Sequence, residues 1–197
     1  MRALVPVATG SEDIEFVAVV DILSRAQVDV VTAAVESACT IQLMKGVTIH
    51  ASCRLEAVAG ETFDAVVLPG GVPGAMRLAE SRELGELLIR HHKQGALIGA
   101  ICLAPALVLK PLGILDASPR VTGNPRPIAT PSESFAADAF TSLLGSAFDV
   151  DSRVCVDEEH RIITSQAPGT AIEFALAVVR MLRGEPVADE IARYILV

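Results

Sequence analysis

The sequence repeats one pattern: a short apolar, often β-branched run, then a turn, then a segment with apolar residues at helical spacing. The apolar runs are Ala3–Ala8, Val28–Val35, Ala65–Leu68 and Ala96–Ile101. Such runs are typical of strands buried on both faces, and strands separated by helices can pair in parallel. The pattern therefore predicts an α/β fold, with a mostly parallel sheet covered by helices on both faces.

Three helices follow from this spacing of apolar residues: Ile14–Ala26, Glu80–Gln94, and a helix from Pro168 to Leu182. Hairpins are predicted around Gly46 and around Asp157–His160. The chain has no repeat and no linker, and its 197 residues fit the ordinary size of one domain. We therefore expect a single domain over residues 1–197.

The charge and composition of the chain argue against nucleic acid and membranes as its main partners. The formal net charge is −8, and aromatic residues make up 4% of the sequence. Such a chain is a poor match for nucleic acid or an anionic membrane surface. Its purely apolar runs are shorter than the roughly 18 residues of a membrane-spanning helix. We therefore expect neither partner and predict a cytoplasmic protein, with mitochondrial and nuclear pools left open.

Cys102 lies between the run Ala96–Ile101 and an apolar helical segment that ends at Leu109, with almost no loop between them. A strand that turns sharply into a helix projects the side chain at the turn, and small neighbours such as Ala100 and Ala104 let the backbone pass. The start of a helix favours a thiolate, so we expect a lowered thiol pKa and a nucleophilic cysteine. A buried structural cysteine is the alternative.

A glycine pair follows the apolar run that ends at Leu68. Gly70 and Gly71 allow the backbone to approach a bound group closely and to aim N–H groups at an anion. Together with the N–H of Leu103, they predict an oxyanion site beside Cys102. A tight turn without such a role is the alternative.

Glu15 opens the first predicted helix, next to Glu12 and Asp13. The helix dipole alone favours a carboxylate at this place. Close to a thiolate, the like charge would raise the pKa of Glu15, and its protonated carboxyl could donate a hydrogen bond to sulfur and move a proton. We therefore expect Glu15 to be the acid–base partner of Cys102.

The four histidines indicate no site. His91 and His92 fall on the polar face of a predicted helix and are expected to be solvated. His160 is expected at a hairpin tip, and His50 in a structural or solvated place. No His and Cys spacing matches a metal site, so we expect no metal and no cofactor. No histidine follows a predicted strand near Cys102, which leaves a thiol protease dyad unsupported.

Four segments together resemble the ThiJ/PfpI superfamily and, within it, the parkinsonism-associated branch of protein deglycases. They are Ala8–Glu15, Asp64–Gly71, Gly99–Pro105 and Ser165–Ala175, and the resemblance extends over nearly the whole chain. It implies a flavodoxin-like three-layer sandwich with a nucleophile elbow, and usually a homodimer.

The resemblance also implies a reactive cysteine at Cys102, an acidic partner at Glu15, and stabilising N–H groups at Gly71 and Leu103. Two positions depart from related proteins. Leu103 stands where the protease-like branch has a histidine, so peptidase activity is not expected. Asn124 stands where the parkinsonism-associated branch often has a histidine before a proline, and an amide does not exchange protons near neutral pH.

Members of this branch are described as cofactor-free glyoxalases, as deglycases, and as sensors whose cysteine becomes sulfinic acid. The expected function is a glutathione-independent glyoxalase (a hydro-lyase) or a protein deglycase that acts on methylglyoxal, glyoxal or their thiol and amine adducts and protects against oxidative stress. The alternative is a non-catalytic redox sensor or chaperone whose Cys102 oxidises to sulfinic acid. Glutamine amidotransferase chemistry needs a late His–Glu pair, and no suitable glutamate follows His160.

A homodimer is expected from the resemblance and from a hydrophobic content of 51%. The candidate surfaces are the helix from Ile14, with Phe16 and Val20, and the hairpin Cys39–Ile49.

Overall fold

The computed structural model describes residues 1–125 and 142–197. A π-helical turn covers Pro105–Leu109, and short 3-10 turns lie at Gly145–Ala147 and Pro168–Thr170. The strands and α-helices of these residues are, in chain order, β1 (Arg2–Val7), α1 (Asp13–Arg25), β2 (Asp29–Ala34), β3 (Thr40–Gln42), β4 (Thr48–His50), β5 (Cys53–Arg54), α2 (Leu55–Val58), β6 (Ala65–Leu68), α3 (Gly74–Glu80), α4 (Arg82–Lys93), β7 (Leu97–Ile101), β8 (Val154–Asp157), β9 (Ile162–Ser165), α5 (Ala171–Arg183) and α6 (Glu185–Ile195).

One sheet of seven strands, in the order β5-β2-β1-β6-β7-β9-β8, organises the described part of the chain. Its strands run parallel except β8, which pairs antiparallel with β9 in the predicted second hairpin. Strands β3 and β4 form the other predicted hairpin outside this sheet. The mostly parallel sheet is therefore confirmed. Its register brings the carboxyl ends of β1, β6, β7 and β9 to one edge.

Helices cover the two faces of the sheet. Helix α1 packs with α5, which packs with α6. On the other face α4 packs with α2 and with α3, and α2, α3 and α4 contact β2, β1 and β7, respectively. Strands β6 and β7 are buried along their whole length, as expected for central strands covered on both sides. Phe174 of α5 is fully buried against Gly99 of β7. This is the predicted flavodoxin-like three-layer sandwich.

The helix predicted over Glu80–Gln94 is confirmed as α4, which starts two residues later, whereas α3 directly before it was not predicted. Ser81 has extended backbone angles, and it ends α3 and begins α4. Its side chain accepts a hydrogen bond from the N–H of Leu84 at 3.3 Å, which caps α4. A serine that serves both helix ends in this way redirects the chain, although the apolar spacing continues across it.

His91 also differs from its prediction. It is fully buried rather than solvated. Its Nδ1 bonds to the carbonyl of Leu87 at 2.9 Å, and its Nε2 accepts from the N–H of Phe63 at 3.0 Å. Because a ring nitrogen that accepts is unprotonated, this pattern requires a neutral imidazole.

No α-helix in the described ranges combines the length and the hydropathy of a membrane span.

Candidate active site

Cys102 occupies the sharp turn directly after β7. Its φ of 65° lies in the left-handed region, which a residue with a side chain rarely adopts. The backbone is held there on two sides: the N–H of Cys102 donates to the carbonyl of Ser165, and its carbonyl accepts from the N–H of Asn124, each at 2.9 Å. The strained turn therefore has the geometry of the predicted elbow, and β9 braces it.

The helix predicted to start at Cys102 starts two residues later and is mainly π-helical. Cys102 and Leu103 form a turn, and the winding that follows is the π-helical turn Pro105–Leu109, in which Lys110 donates to the carbonyl of Pro105. Proline supplies no N–H to this first turn, so the segment after the elbow offers fewer free backbone donors than an ordinary helix start.

The carboxyl group of Glu15 is completely buried at the start of α1. Its Oε2 accepts a hydrogen bond from the N–H of Gly70 at 2.8 Å, whereas Oε1 is buried without a hydrogen-bond partner within residues 1–125 and 142–197. Burial raises the pKa of Glu15 to about 8, and the charge of Glu12 adds to the rise. The predicted rise is confirmed in direction, but its main cause is desolvation rather than a thiolate charge.

The thiol of Cys102 is 6% exposed. Burial raises its pKa well above the ordinary value, and the neighbouring Glu15 carboxyl raises it further. The sequence-based expectation of a lowered pKa is therefore wrong, because the loss of solvation outweighs the groups that favour the thiolate. Both partners of this pair hold their protons more strongly than they would in water.

Two neutral donors nevertheless favour negative charge on the sulfur. The backbone N–H of Gly71 lowers the pKa of the thiol, and Nδ2 of Asn124 donates to the sulfur over 3.6 Å. The N–H of Gly70 is occupied by Glu15, so Gly70 does not supply the anion-binding N–H that we predicted for it. Leu103 is fully buried beside the thiol, and its role as a second backbone donor stays a prediction.

The loop after β6 packs closely against the elbow and against the loop after β1. A Cβ on Gly70 would lie 2.6 Å from Cβ of Cys102 and 2.9 Å from Oε2 of Glu15. Gly71 has a φ of 94°, and a Cβ there would lie 2.5 Å from the N of Glu12 and from the O of Gly10. Real Cβ contacts of this length do not occur, so only glycine fits at either position.

Three further residues contribute to this region, and none of them was predicted as a site residue. Ser165, which opens one of the segments that carry the resemblance, holds the elbow through its backbone carbonyl. Glu36 and Arg77 hold Thr9, the residue before the Gly10 turn, through their side chains. Their positions in the sequence lie 27 and 68 residues from Thr9, so only the fold brings them together.

The four histidines, all in the described ranges, make their contacts elsewhere. His50 faces Thr40, and His160 bonds to Asp157 within the β8–β9 hairpin, as its predicted place at the tip requires. Groups of three or more His, Cys, Asp or Glu side chains with the arrangement of a metal site are not found in the part of the chain that the structure describes.

Comparisons with known proteins agree with this architecture. The model of the DJ-1/PfpI family matches residues 1–181. Protein DJ-1 homolog A of Arabidopsis thaliana is 36% identical over 98% of this chain, which spans only 46% of that relative. The glutathione-independent glyoxalase DJR-1.2 of Caenorhabditis elegans is 36% identical, over 88% of this chain and 84% of its own length.

A solved structure provides a third comparison. Oxidized DJ-1 of Toxoplasma gondii superimposes with a TM-score of 0.87 at 37% identity, covering 99% of this chain and 97% of that one. Family match, sequence identity and fold therefore agree over nearly the entire chain. The chain belongs to the DJ-1/PfpI family.

Proposed function

We propose that this protein is a glyoxalase that uses its own cysteine instead of glutathione and converts methylglyoxal or glyoxal into the corresponding 2-hydroxy acid. The observation that carries the proposal is the buried pair of Cys102 and Glu15, whose carboxyl has a pKa of about 8. An acid–base group works best when its pKa lies near the working pH, since it can then both accept and return a proton. The relative named as a glutathione-independent glyoxalase supports the same chemistry.

The first step forms a bond between sulfur and the aldehyde carbon. The thiol proton of Cys102 passes to Glu15 as the sulfur attacks, and it then reaches the former aldehyde oxygen, giving a hemithioacetal. The N–H of Gly71, which already faces the sulfur, is suited to stabilise the oxyanion that develops beside it.

The second step moves hydrogen between two carbons. Glu15 removes the proton from the carbon bonded to sulfur and returns it to the neighbouring carbon. The hemithioacetal hydroxyl gives up its proton to the neighbouring carbonyl oxygen, so the carbon on sulfur becomes a thioester carbonyl and the neighbouring carbon carries the new hydroxyl. Oε1 of Glu15, which has no hydrogen-bond partner among the described residues, is the atom suited to this transfer. Water then cleaves the thioester, which releases the 2-hydroxy acid and restores the thiol. The sequence consumes one water and needs no external oxidant or reductant.

Asn124 stabilises the sulfur without exchanging a proton, because a neutral amide does not titrate near neutral pH. Proton transfer therefore falls to Glu15. Deglycase activity, the release of glyoxal adducts from amines or thiols, would use the same attack by Cys102, and we include it in the proposal. The proposed setting is the cytoplasm, with protection against reactive aldehydes under oxidative stress as the role.

Proton NMR of the protein with methylglyoxal, in amine-free buffer without glutathione, tests the proposal. We expect lactate to accumulate over many turnovers with the unchanged protein and not with Cys102→Ala. Cys155→Ala is the matched control, since Cys155 is also a buried cysteine but lies within β8 rather than at the elbow. Equal lactate formation by the unchanged protein and Cys102→Ala would refute a catalytic cysteine.

Redox sensing is the second candidate function. A protonated Glu15 beside the sulfur can donate a hydrogen bond to a sulfinate, and the Gly71 and Asn124 donors favour negative charge at the same place. Oxidation consumes two peroxide molecules, transfers one oxygen atom from each to the sulfur and releases two waters. Peptide mass spectrometry after graded peroxide tests it: Cys102 should gain two oxygens before Cys39, Cys53 or Cys155, and a later gain refutes the sensor.

We also propose a homodimer, with one correction to its predicted surface. Phe16 is 5% exposed and belongs to the core, so it is unavailable to a partner. Ile14 and Val17 of α1 are 56% and 47% exposed, and Val47 beside β4 is 49% exposed. Light scattering at micromolar concentration should give twice the chain mass, with Val17→Asp shifting the protein towards the monomer; a monomeric mass for the unchanged protein refutes the dimer.

A further inference from the structure

Thr9, Glu36 and Arg77 form a network of side chains next to the Gly10 turn, and the proposed mechanism uses none of them. Oγ1 of Thr9 donates to Oε2 of Glu36 at 2.6 Å, and the N–H of Thr9 lies 3.3 Å from Oε1 of the same carboxylate. From the opposite side, Nη1 of Arg77 donates to the carbonyl of Thr9 at 2.8 Å and lies 3.5 Å from Oε1 of Glu36. Each polar group of Thr9 therefore has a charged partner.

These partners come from separate elements. Glu36 follows β2, and Arg77 lies on α3. The network therefore connects the segment after β2 and helix α3 to the loop after β1. The side chains of Arg77 and Glu36 are 40% and 31% exposed. An isolated surface ion pair of this exposure contributes little to stability, but hydrogen bonds from charged groups to a backbone orient that backbone strongly.

The turn held by this network leads directly to the active-site donors. The carbonyl of Gly10 accepts from the N–H of Gly74 at 3.1 Å, and the N–H of Glu12 donates to the carbonyl of Gly70 at 3.1 Å. Gly71 lies between these two contacts and leaves no space for even a methyl group against Gly10 and Glu12. A shift of the Thr9–Gly10 peptide therefore has to move Gly71 as well.

We infer that Arg77 and Glu36 are positioning residues for the active site: they hold Thr9 and, through the Gly10–Glu12 turn, keep the Gly71 N–H directed at the Cys102 sulfur. They touch neither the sulfur nor the site of a substrate. The inference rests on the proposed nucleophilic role of Cys102. It predicts that loss of either side chain withdraws a donor from the thiolate and makes the cysteine less reactive at a given pH.

The test measures the rate of Cys102 alkylation by iodoacetamide against pH, read by mass spectrometry of the Cys102 peptide. Arg77→Met should move the midpoint of this profile upward by roughly half a pH unit or more, the size expected for a weakened hydrogen bond to the thiolate. Arg77→Lys should restore part of the shift, because an ammonium group can also donate to the Thr9 carbonyl. Arg82→Met is the matched control, since Arg82 is 89% exposed and pairs only with Glu86 among the described residues.

Glu36→Leu distinguishes the effect of positioning on the alkylation midpoint from the effect of charge alone. The loss of the Glu36 charge should by itself lower the midpoint or leave it unchanged, whereas the loss of its hydrogen bonds to Thr9 should raise the midpoint. An upward shift in both Arg77→Met and Glu36→Leu, with Arg82→Met unchanged, supports the inference. A downward shift or no shift in Glu36→Leu, an unchanged profile in Arg77→Met, or equal shifts in Arg77→Met and Arg82→Met overturns it.

Alkylation needs no turnover, so this result is independent of the glyoxalase test. If the unchanged protein forms no lactate but the two variants shift the profile upward, the positioning inference stands and the proposed enzyme activity fails. Thermal melting of each variant checks that the compared proteins are folded at the temperature of the assay.

Discussion

The N–H of Gly70 and Oε2 of Glu15 meet at 2.8 Å in a site without room for a side chain at Gly70. This contact joins the loop after β6 to the first turn of α1, and it holds the carboxyl group beside the Cys102 thiol. It also leaves Oε1 as the unpaired oxygen, within the described residues, on the group proposed to transfer protons. The geometry of one glycine thus determines which carboxyl oxygen is left for the proposed proton transfer.

Glu15→Gln should abolish turnover while leaving the fold intact. The amide oxygen can still accept from Gly70, but the side chain can no longer take up or return a proton. We expect lactate formation to fall by about 100-fold or more, the usual contribution of a general acid–base group. NMR rate measurements check this, with Asp21→Asn, an exposed change on the same helix, as the control. A Glu15→Gln protein that retains the unchanged rate would exclude this role.

The buried carboxyl of Glu15 should also affect stability as the pH changes. Its pKa is about 8 in the folded protein and near 4.5 when solvated, so between these values the folded state keeps a proton that the unfolded state has lost. The free energy of unfolding therefore falls as pH rises through this window. Urea titrations at pH 5 and pH 8 should show a smaller decline for Glu15→Gln than for the unchanged protein; parallel declines would contradict the raised pKa.

His91 should make the protein sensitive to acid. Burial lowers its pKa below 6.5, so as pH falls below that value the unfolded state gains a proton that the folded state resists. Its contribution to the free energy of unfolding is thus present above pH 6.5 and lost progressively at lower pH.

A substitution isolates this effect. His91→Leu leaves the buried N–H of Phe63 unpaired, which should cost about 1–3 kcal/mol at neutral pH, and the acid-dependent loss should shrink. His50→Leu, on an exposed position that bonds to Thr40, is the matched control and should change stability by less than about 0.5 kcal/mol. Chemical denaturation at pH 7.5 and pH 5.5 measures both, and equal behaviour of the two variants would contradict the prediction.

Gly70→Ala should damage both stability and reactivity. The added methyl group would overlap Cβ of Cys102 and press on Oε2 of Glu15, so the elbow and the carboxyl have to separate. We expect a loss of about 1–3 kcal/mol in the free energy of unfolding, together with slower alkylation of Cys102. Gly60→Ala, where nothing lies within 4 Å of the new carbon, should leave both unchanged. Denaturation curves and alkylation rates that match for the two variants would contradict this account.

Much of the site was predictable because it depends on strand ends. Glu15, Gly71 and Cys102 each follow an apolar run, and parallel strands bring such positions to one edge of a sheet. The direction of the thiol pKa was not predictable, because it depends on how completely neighbouring elements exclude water. Gly70 was misassigned for a related reason: its N–H has one partner, and only the fold decides whether that partner is Glu15 or a bound anion.

The sequence by itself determined the alternation of strands and helices, since apolar periodicity and turn residues act over short distances. It also indicated the elbow at Cys102, because Ala100 and Ala104 are small enough to let the backbone pass in a sharp turn. The tertiary structure alone decided the burial of His91 and the contacts of Arg77 and Glu36 with Thr9. These depend on contacts between residues far apart in the chain, whose desolvation and hydrogen-bond partners exist only after the layers have packed.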